Sequence, residues 1–206
     1  MTYDSHGRKV HGFLVKPKEI GDKKLPVVIY NRGGSKDYGA INFRQIWSRM
    51  VHLAREGCVV LASQYTGNMG GEGKDEFGGE QDMLSVLDLK NIIDELPYCD
   101  EARIGMYGAS RGGMMTYLSV ARVDWIKAAV INCGVADVGR NQILRPELPK
   151  FRADMYDVHS EEENQKRSVL YWPQKLNPDT PLLIFHGTKD DRAPLSDTLK
   201  LCQKLA

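Results

Sequence analysis

Ser110 stands in the run Gly108-Ala109-Ser110-Arg111-Gly112. Glycines two residues before and after a serine suit a nucleophile on a very tight strand-to-helix turn, because side chains there would collide. The flanks fit that reading. Arg103 to Tyr107 reads as a strand, and Ser110 to Arg122 as a helix. Such a turn lifts the hydroxyl to a helix N-terminus, where the Arg111 backbone N–H faces a developing oxyanion. The competing reading is a glycine–serine loop in which Ser110 is an ordinary N-cap. A second group, His186-Gly187-Thr188-Lys189-Asp190-Asp191-Arg192-Ala193-Pro194, follows the apolar run from Pro181 to Phe185. A carboxylate just beyond the C-terminal end of a buried strand faces the same crevice as the turn. Asp191 and Arg192 read equally as a turn-stabilising surface pair or as functional groups. Adjacent carboxylates without histidine or glutamate at ligand spacing make a poor cation cage, so no metal or cofactor is expected.

The elements that must position these residues alternate. Lys9 to Lys16 is a candidate strand, and Leu25 to Asn31 is a continuous apolar run, as in a strand buried on both faces. Asn42 to Glu56 carries Phe43, Ile46, Trp47, Met50 and Ala54 at helical spacing, with Gly57 as its cap. Cys58 to Ser63 is a strand, Gly67 to Gly79 a glycine-rich loop, and Gln81 to Leu96 a helix stopped by Pro97. After the serine helix come a strand from Ala128 to Cys133, a strand from Pro181 to Phe185 and a helix from Pro194 onward. This rhythm predicts one α/β domain over 1–206, a mostly parallel sheet with helices on both faces. The polar stretch 138–177 breaks the rhythm and reads as a helical, lid-like insertion within that domain.

Composition sets outer limits. There are 28 basic and 27 acidic residues, a net charge of +1. That balance gives no electrostatic case for nucleic acid or an anionic membrane as partner. No apolar run reaches the length of a membrane span. The N-terminus lacks the basic start and apolar run of a signal peptide. Cys58, Cys99, Cys133 and Cys202 form no Cys-x-x-Cys pair, and Cys58 and Cys133 read as small buried hydrophobes. A cytoplasmic protein is expected.

Several ordered stretches together resemble the catalytic domain of the prolyl oligopeptidase family of serine hydrolases, with its acylaminoacyl peptidases, dipeptidyl peptidases and esterases. They are Asn31-Arg32-Gly33-Gly34, the loop from Tyr65-Thr66-Gly67-Asn68 to Gly73, the block from Arg103 to Thr116, Arg167 to Tyr171, and His186 to Pro194. The resemblance implies an α/β-hydrolase fold. It also implies Ser110 as nucleophile, Asp190 as triad acid, and Arg192 where some relatives contact substrate carbonyls. Arg111 supplies one oxyanion N–H, and the Asn31 loop supplies the other. Many relatives have a tyrosine at the Asn31 position. Here the donor is the Asn31 side-chain amide or a loop backbone N–H, or Asn31 only shapes the turn.

The serine needs a base. Of the histidines, His6 and His11 flank the first strand, His52 lies on an early helix, His159 lies in the insertion, and His186 follows a strand where relatives keep a non-triad histidine. None stands where the fold supplies its base. In the family that histidine follows one more strand, so the chain reads as a hydrolase domain lacking its last strand, last helix and base. Recruitment of His159 is the alternative. The expected function is a serine hydrolase of small esters or peptides working through an acyl-enzyme on Ser110. The absence of a preceding propeller-sized domain tilts this slightly towards a carboxylesterase or small-peptide hydrolase. The rival is a non-catalytic binding module or an inactive fragment. An edge left open at Pro181 to Phe185 predicts pairing with another chain as a homo-oligomer.

Overall fold

The computed structural model describes residues 1–206. Seven strands form one sheet: β1 Thr2–Ser5, β2 Arg8–Val15, β3 Leu25–Asn31, β4 Val59–Ser63, β5 Cys99–Ala109, β6 Ile126–Asn132 and β7 Leu182–Phe185, in the order β1-β2-β4-β3-β5-β6-β7. β1, β2 and β4 pair antiparallel, and every pair from β4 to β7 is parallel. Crossovers between parallel strands need helices, and the chain supplies them. Between β3 and β4 lie α1 Phe43–Gln45, a π-turn Ile46–Met50 and α2 Val51–Arg55. Between β4 and β5 lie α3 Glu80–Leu87 and α4 Leu89–Glu95. α5 Arg111–Val120 follows β5. The stretch between β6 and β7 holds α6 Val138–Leu144, α7 Leu148–Arg152, α8 Glu161–Lys166 and two short 3-10 turns, and α9 Leu195–Leu205 follows β7.

Successive residues of a strand point to opposite faces. Val59 and Leu61 therefore join the larger core, with Ile29, Met83, Ile93, Met106, Met114 and Val120. Val60 and Ala62 join a smaller core with Tyr30, Met50 and Ala54 on the other face. β3 and β4 are covered on both sides, which is why they read as continuous apolar runs.

Three elements depart from the expected pattern. β1 was not expected, since four residues carry too little period-2 signal. It exists by pairing with β2 through His6 and Gly7, both at positive φ (52° and 78°), the sign pattern of a tight hairpin turn. The helix expected over 81–96 is divided at Asp88, whose carboxylate accepts from the Ser5 hydroxyl at 2.7 Å and ties down that hairpin. The apolar stripe over 42–56 is only partly buried. The π-turn adds a residue to one helical turn and rotates the face, leaving Phe43 and Trp47 exposed and stacked on each other.

β7 hydrogen-bonds to β6 alone, and Leu183 and Phe185 are 53% and 54% exposed. An unpaired, apolar edge invites a second strand. Size-exclusion of the 206-residue chain at rising concentration should therefore show growing apparent mass, which Leu183→Lys with Phe185→Lys should abolish. A monomer at every concentration would contradict this.

Candidate active site

β5 ends at Ala109, and Ser110 takes φ 57° and ψ −120°, outside the regions that a residue with a Cβ normally occupies. The surroundings hold it there. Its N–H donates to the Asn132 carbonyl, extending the β5–β6 ladder, and its carbonyl accepts from Gly113 and Met114 of α5 and from Val135. A Cβ at Gly108 would overlap the Gly112 carbonyl, and one at Gly112 would overlap the Asn31 carbonyl. Both positions require glycine because three backbone segments meet there. Ser110 itself is exposed. Arg111 opens α5, so its N–H has no acceptor within the helix.

The Arg111 side chain turns inward and is 2% exposed. Nη1 and Nη2 donate to the two Asp75 carboxylate oxygens at 2.9 and 2.7 Å, and Nη2 also reaches Asp82 at 2.7 Å. The rings of Tyr65 and Phe77 flank the guanidinium at 4.8 and 5.1 Å. Asp75 also accepts from the backbone N–H of Lys36 and of Phe77. One ion pair therefore joins the serine helix, the Asn31-to-Gly39 loop and the glycine-rich loop. Burial raises the Asp75 carboxyl, but Arg111 and the two N–H groups outweigh it and hold Asp75 well below the usual carboxylate range. Asp82 is fully buried beside a second carboxylate, and burial pushes it up to about 7 despite Arg111. Sequence pattern gives Arg111 a backbone role only and makes Gly67 to Gly79 a plain loop. The available signal was an aspartate among aromatic and glycine residues, which has to find a cation if buried.

The Asn31 side chain does not face the serine. It is 1% exposed, its Nδ2 donates to Thr116 Oγ1 at 3.0 Å, and Met106 Sδ lies 3.7 Å away. The backbone of the same loop is the part that approaches: a Cβ placed on Gly33 would sit 3.5 Å from Ser110 Cβ. The Asn31 amide is therefore not a donor into the cavity, which leaves the two other readings, a loop backbone N–H as donor or an asparagine that only shapes the turn.

Asp190 and Arg192 share a cavity of about 710 Å³ with Ser110. Asp190 Oδ1 accepts from the N–H groups of Arg192 and Ala193, both at 2.9 Å. Burial raises its pKa, but these bonds and the Cys133 thiol outweigh it and hold Asp190 below its ordinary value. The Arg192 side chain is exposed, and its carbonyl accepts from Asn141. Asp191 is exposed beside it. The expectation for Cys133 needs correction. It is half-buried at φ 50° in the cavity wall, because β6 ends there and the chain must turn. Cys58 is also only half-buried.

No histidine lines this cavity. His186 Nε2 faces the Ala193 carbonyl at 2.8 Å and Nδ1 meets Thr198 Oγ1 at 2.8 Å. A carbonyl only accepts, so Nε2 carries the proton. That also removes His186 as a ligand from the Cys133–His186–Asp190 trio, whose donor atoms lie within 4.8 Å of one another. His159 lies in a different pocket, with Asp137 and Glu161. A larger groove of about 1030 Å³ runs past Glu80, Leu118, Lys166 and Trp172 and contains neither Ser110 nor Asp190. No helix is long and apolar enough to cross a membrane.

Residues 44–206 match the model of the prolyl oligopeptidase family. The chain belongs to that family. It is 30% identical to the uncharacterized peptidase YtmA of Bacillus subtilis, over all of this chain and 78% of that protein. It is 28% identical to dipeptidyl-peptidase 5 of Porphyromonas gingivalis, over 94% of this chain but only 30% of that one. Among solved structures, it superposes on the Pyrococcus horikoshii acylaminoacyl peptidase with a TM-score of 0.81 at 23% identity, over all of this chain and 34% of that one. The fold is thus the α/β-hydrolase fold of these peptidases, and the family is one of hydrolases. Most of these relatives extend well beyond the part this chain spans.

Replacing Asp75 with asparagine would leave Arg111 buried without its bidentate partner. In urea unfolding at pH 7, Asp75→Asn should cost about 3–5 kcal/mol. Asp75 is depressed in the fold, so its contribution is complete above the unfolded value of about 4 and fades as pH falls below it. The gap between the two proteins should accordingly narrow below about pH 4.

Proposed function

We propose that this protein is a serine hydrolase that cleaves ester or peptide acyl bonds through an acyl-enzyme on Ser110. The observation that carries the proposal is the backbone of Ser110. A non-glycine residue held at φ 57° and ψ −120°, exposed at the start of α5, is strain with a use. It presents a hydroxyl to a cavity that Asp190 also lines.

In this reading Ser110 Oγ attacks the substrate carbonyl carbon while a base takes the hydroxyl proton. The tetrahedral oxyanion lies against the Arg111 N–H and the N–H groups of the 32–34 loop. The base then returns the proton to the leaving alcohol or amine as the bond to it breaks. Water repeats the sequence to free the acid and Ser110. Asp190 orients the base: two backbone N–H groups hold Oδ1, and its depressed pKa keeps it ionised to accept from an imidazole. No histidine lines the cavity, so the imidazole of this step is not assigned to a residue of the chain. Arg192, at the rim beside Asp190, is the proposed contact for a substrate carbonyl.

The second reading, a non-catalytic module that keeps the serine turn, is favoured by one observation: both nitrogens of His186, the histidine nearest Asp190, are occupied. The protein expressed from its complete reading frame separates the two. A fluorophosphonate probe should label it at Ser110, and Ser110→Ala should abolish labelling. The 206-residue chain should turn over p-nitrophenyl acetate on the order of 10⁴-fold more slowly. An unlabelled Ser110 in the complete protein would sink the hydrolase reading. Comparing p-nitrophenyl esters with aminoacyl p-nitroanilides then separates esterase from peptidase.

A further inference from the structure

Arg152 ends α7 in the wall of the Ser110 cavity. It is 5% exposed, it forms no ion pair with any carboxylate, and its Nε and Nη1 have no hydrogen-bond acceptor. Its guanidinium lies over the Phe77 ring at 3.7 Å. A buried cation is normally paired, because desolvation penalises its charge. The other arginines here follow that rule. Arg111 has Asp75 and Asp82, Arg167 has Glu163, and Arg145 has Glu147 at 2.9 Å. Arg32, without a carboxylate, donates to the carbonyls of Gln64, Gly33 and Lys36. Arg152 has neither kind of partner: the one polar group set against it is the Tyr156 hydroxyl, which leaves Nε and Nη1 without an acceptor. Burial, with Arg111 and Arg145 nearby, brings it down to about 10, which leaves it charged at neutral pH.

The cavity around it is two-natured. Phe77, Val135, Leu148 and Phe151 offer apolar wall suited to methylene groups. Of its charged lining, Arg111 is matched by Asp75 and Asp82 and Arg145 by Glu147, which leaves Arg152 and Arg192 against Asp190 alone, a small excess of positive charge on the substrate side. A short apolar chain ending in an anion matches both natures, and a carboxylate fits the planar guanidinium fork.

We infer that Arg152 is the floor of an anion subsite, and that the acyl group Ser110 acts on carries a terminal carboxylate, as in a dicarboxylic half-ester or an acidic side chain. This inference deepens the hydrolase reading and rests on it for the word acyl, but the binding of the anion can be tested without turnover.

The test is calorimetric titration of the complete protein with glutarate and with its uncharged diamide. Glutarate should bind at least 10-fold more tightly than the diamide, and Arg152→Met should remove that preference while Arg152→Lys keeps part of it. Glutarate should also slow fluorophosphonate labelling of Ser110, which places the subsite in the same cavity. Mono-p-nitrophenyl glutarate should then exceed p-nitrophenyl valerate in kcat/KM by about 10-fold or more, a ratio that Arg152→Met inverts. Equal affinity for glutarate and diamide would overturn the inference, as would unchanged glutarate affinity in a folded Arg152→Met protein. Should Arg152→Met fail to fold, the glutarate–diamide comparison on the unmodified protein still decides. Labelling of Ser110 without glutarate binding removes the subsite and leaves the hydrolase. Glutarate binding lost in Arg152→Met, with Ser110 unlabelled, removes the hydrolase and leaves the subsite.

Discussion

Arg111 is buried to 2% of its surface one residue after the candidate nucleophile, and its charge must be matched where it lies. That requirement reaches across the chain. Asp75 and Asp82 come from a segment 29 to 36 residues earlier in sequence. Neither carboxylate is stable there without the guanidinium, and the guanidinium is not stable there without at least one of them. The glycine-rich segment from Gly67 to Gly79, which has no regular structure of its own, is therefore fixed by electrostatics. Lys36 N–H on Asp75 and the Gly34 carbonyl on Arg111 extend the same constraint to the loop that approaches Ser110. Positive φ at Tyr65 and Phe77, the two aromatic residues flanking Arg111, shows that backbone strain accompanies this packing.

Strain at Ser110 and close packing at Gly108 and Gly112 have one origin. β5 carries the chain up between β3 and β6, and α5 has to descend across the same strands within one residue. Only a sharp reversal achieves this, and only small residues leave room beside it. Thr116, one turn further on, fills the space under the turn. It accepts from Asn31 and donates to the Gly112 carbonyl. Asn31 is thus part of the packing beneath the serine. This explains why its amide is absent from the cavity.

Much of this was legible beforehand, for reasons that differ by element. The serine turn was readable because its constraint is local: Gly-x-Ser-x-Gly, a strand before and a helix after lie within twenty residues. β3 and β4 were readable because burial on both faces leaves only apolar residues. β1 was not, because its stability comes from pairing with β2. The π-turn was not, because Phe43 and Trp47 hold the positions of a buried stripe and only backbone geometry turns them outward. The Arg111–Asp75–Asp82 group was not, because a charge pair separated by thirty residues has no period. The resemblance to a family singled out Asp190 and Arg192 as candidates, while spacing alone left Asp191 and Arg192 open between a turn and a site.

The arginines show how such long-range groups can be sorted once the fold is known. Arg32 and Arg111 are each fully enclosed, and each has its donors matched almost completely, by carbonyls in one case and by carboxylates in the other. Their positions follow from holding loops together, and no ligand is needed to account for them. Arg152 is 5% exposed, and two of its nitrogens face no acceptor, where Arg111 has one such nitrogen, Nε, and Arg32 none. Stacking on Phe77 offsets part of the lost hydration, since a ring face attracts a cation, but it cannot satisfy N–H groups that need an acceptor in the guanidinium plane. Folding alone would favour an apolar side chain of similar volume at this position. A charged one in the wall beside Ser110 is best accounted for by a group that arrives from the cavity and brings the missing acceptors with it.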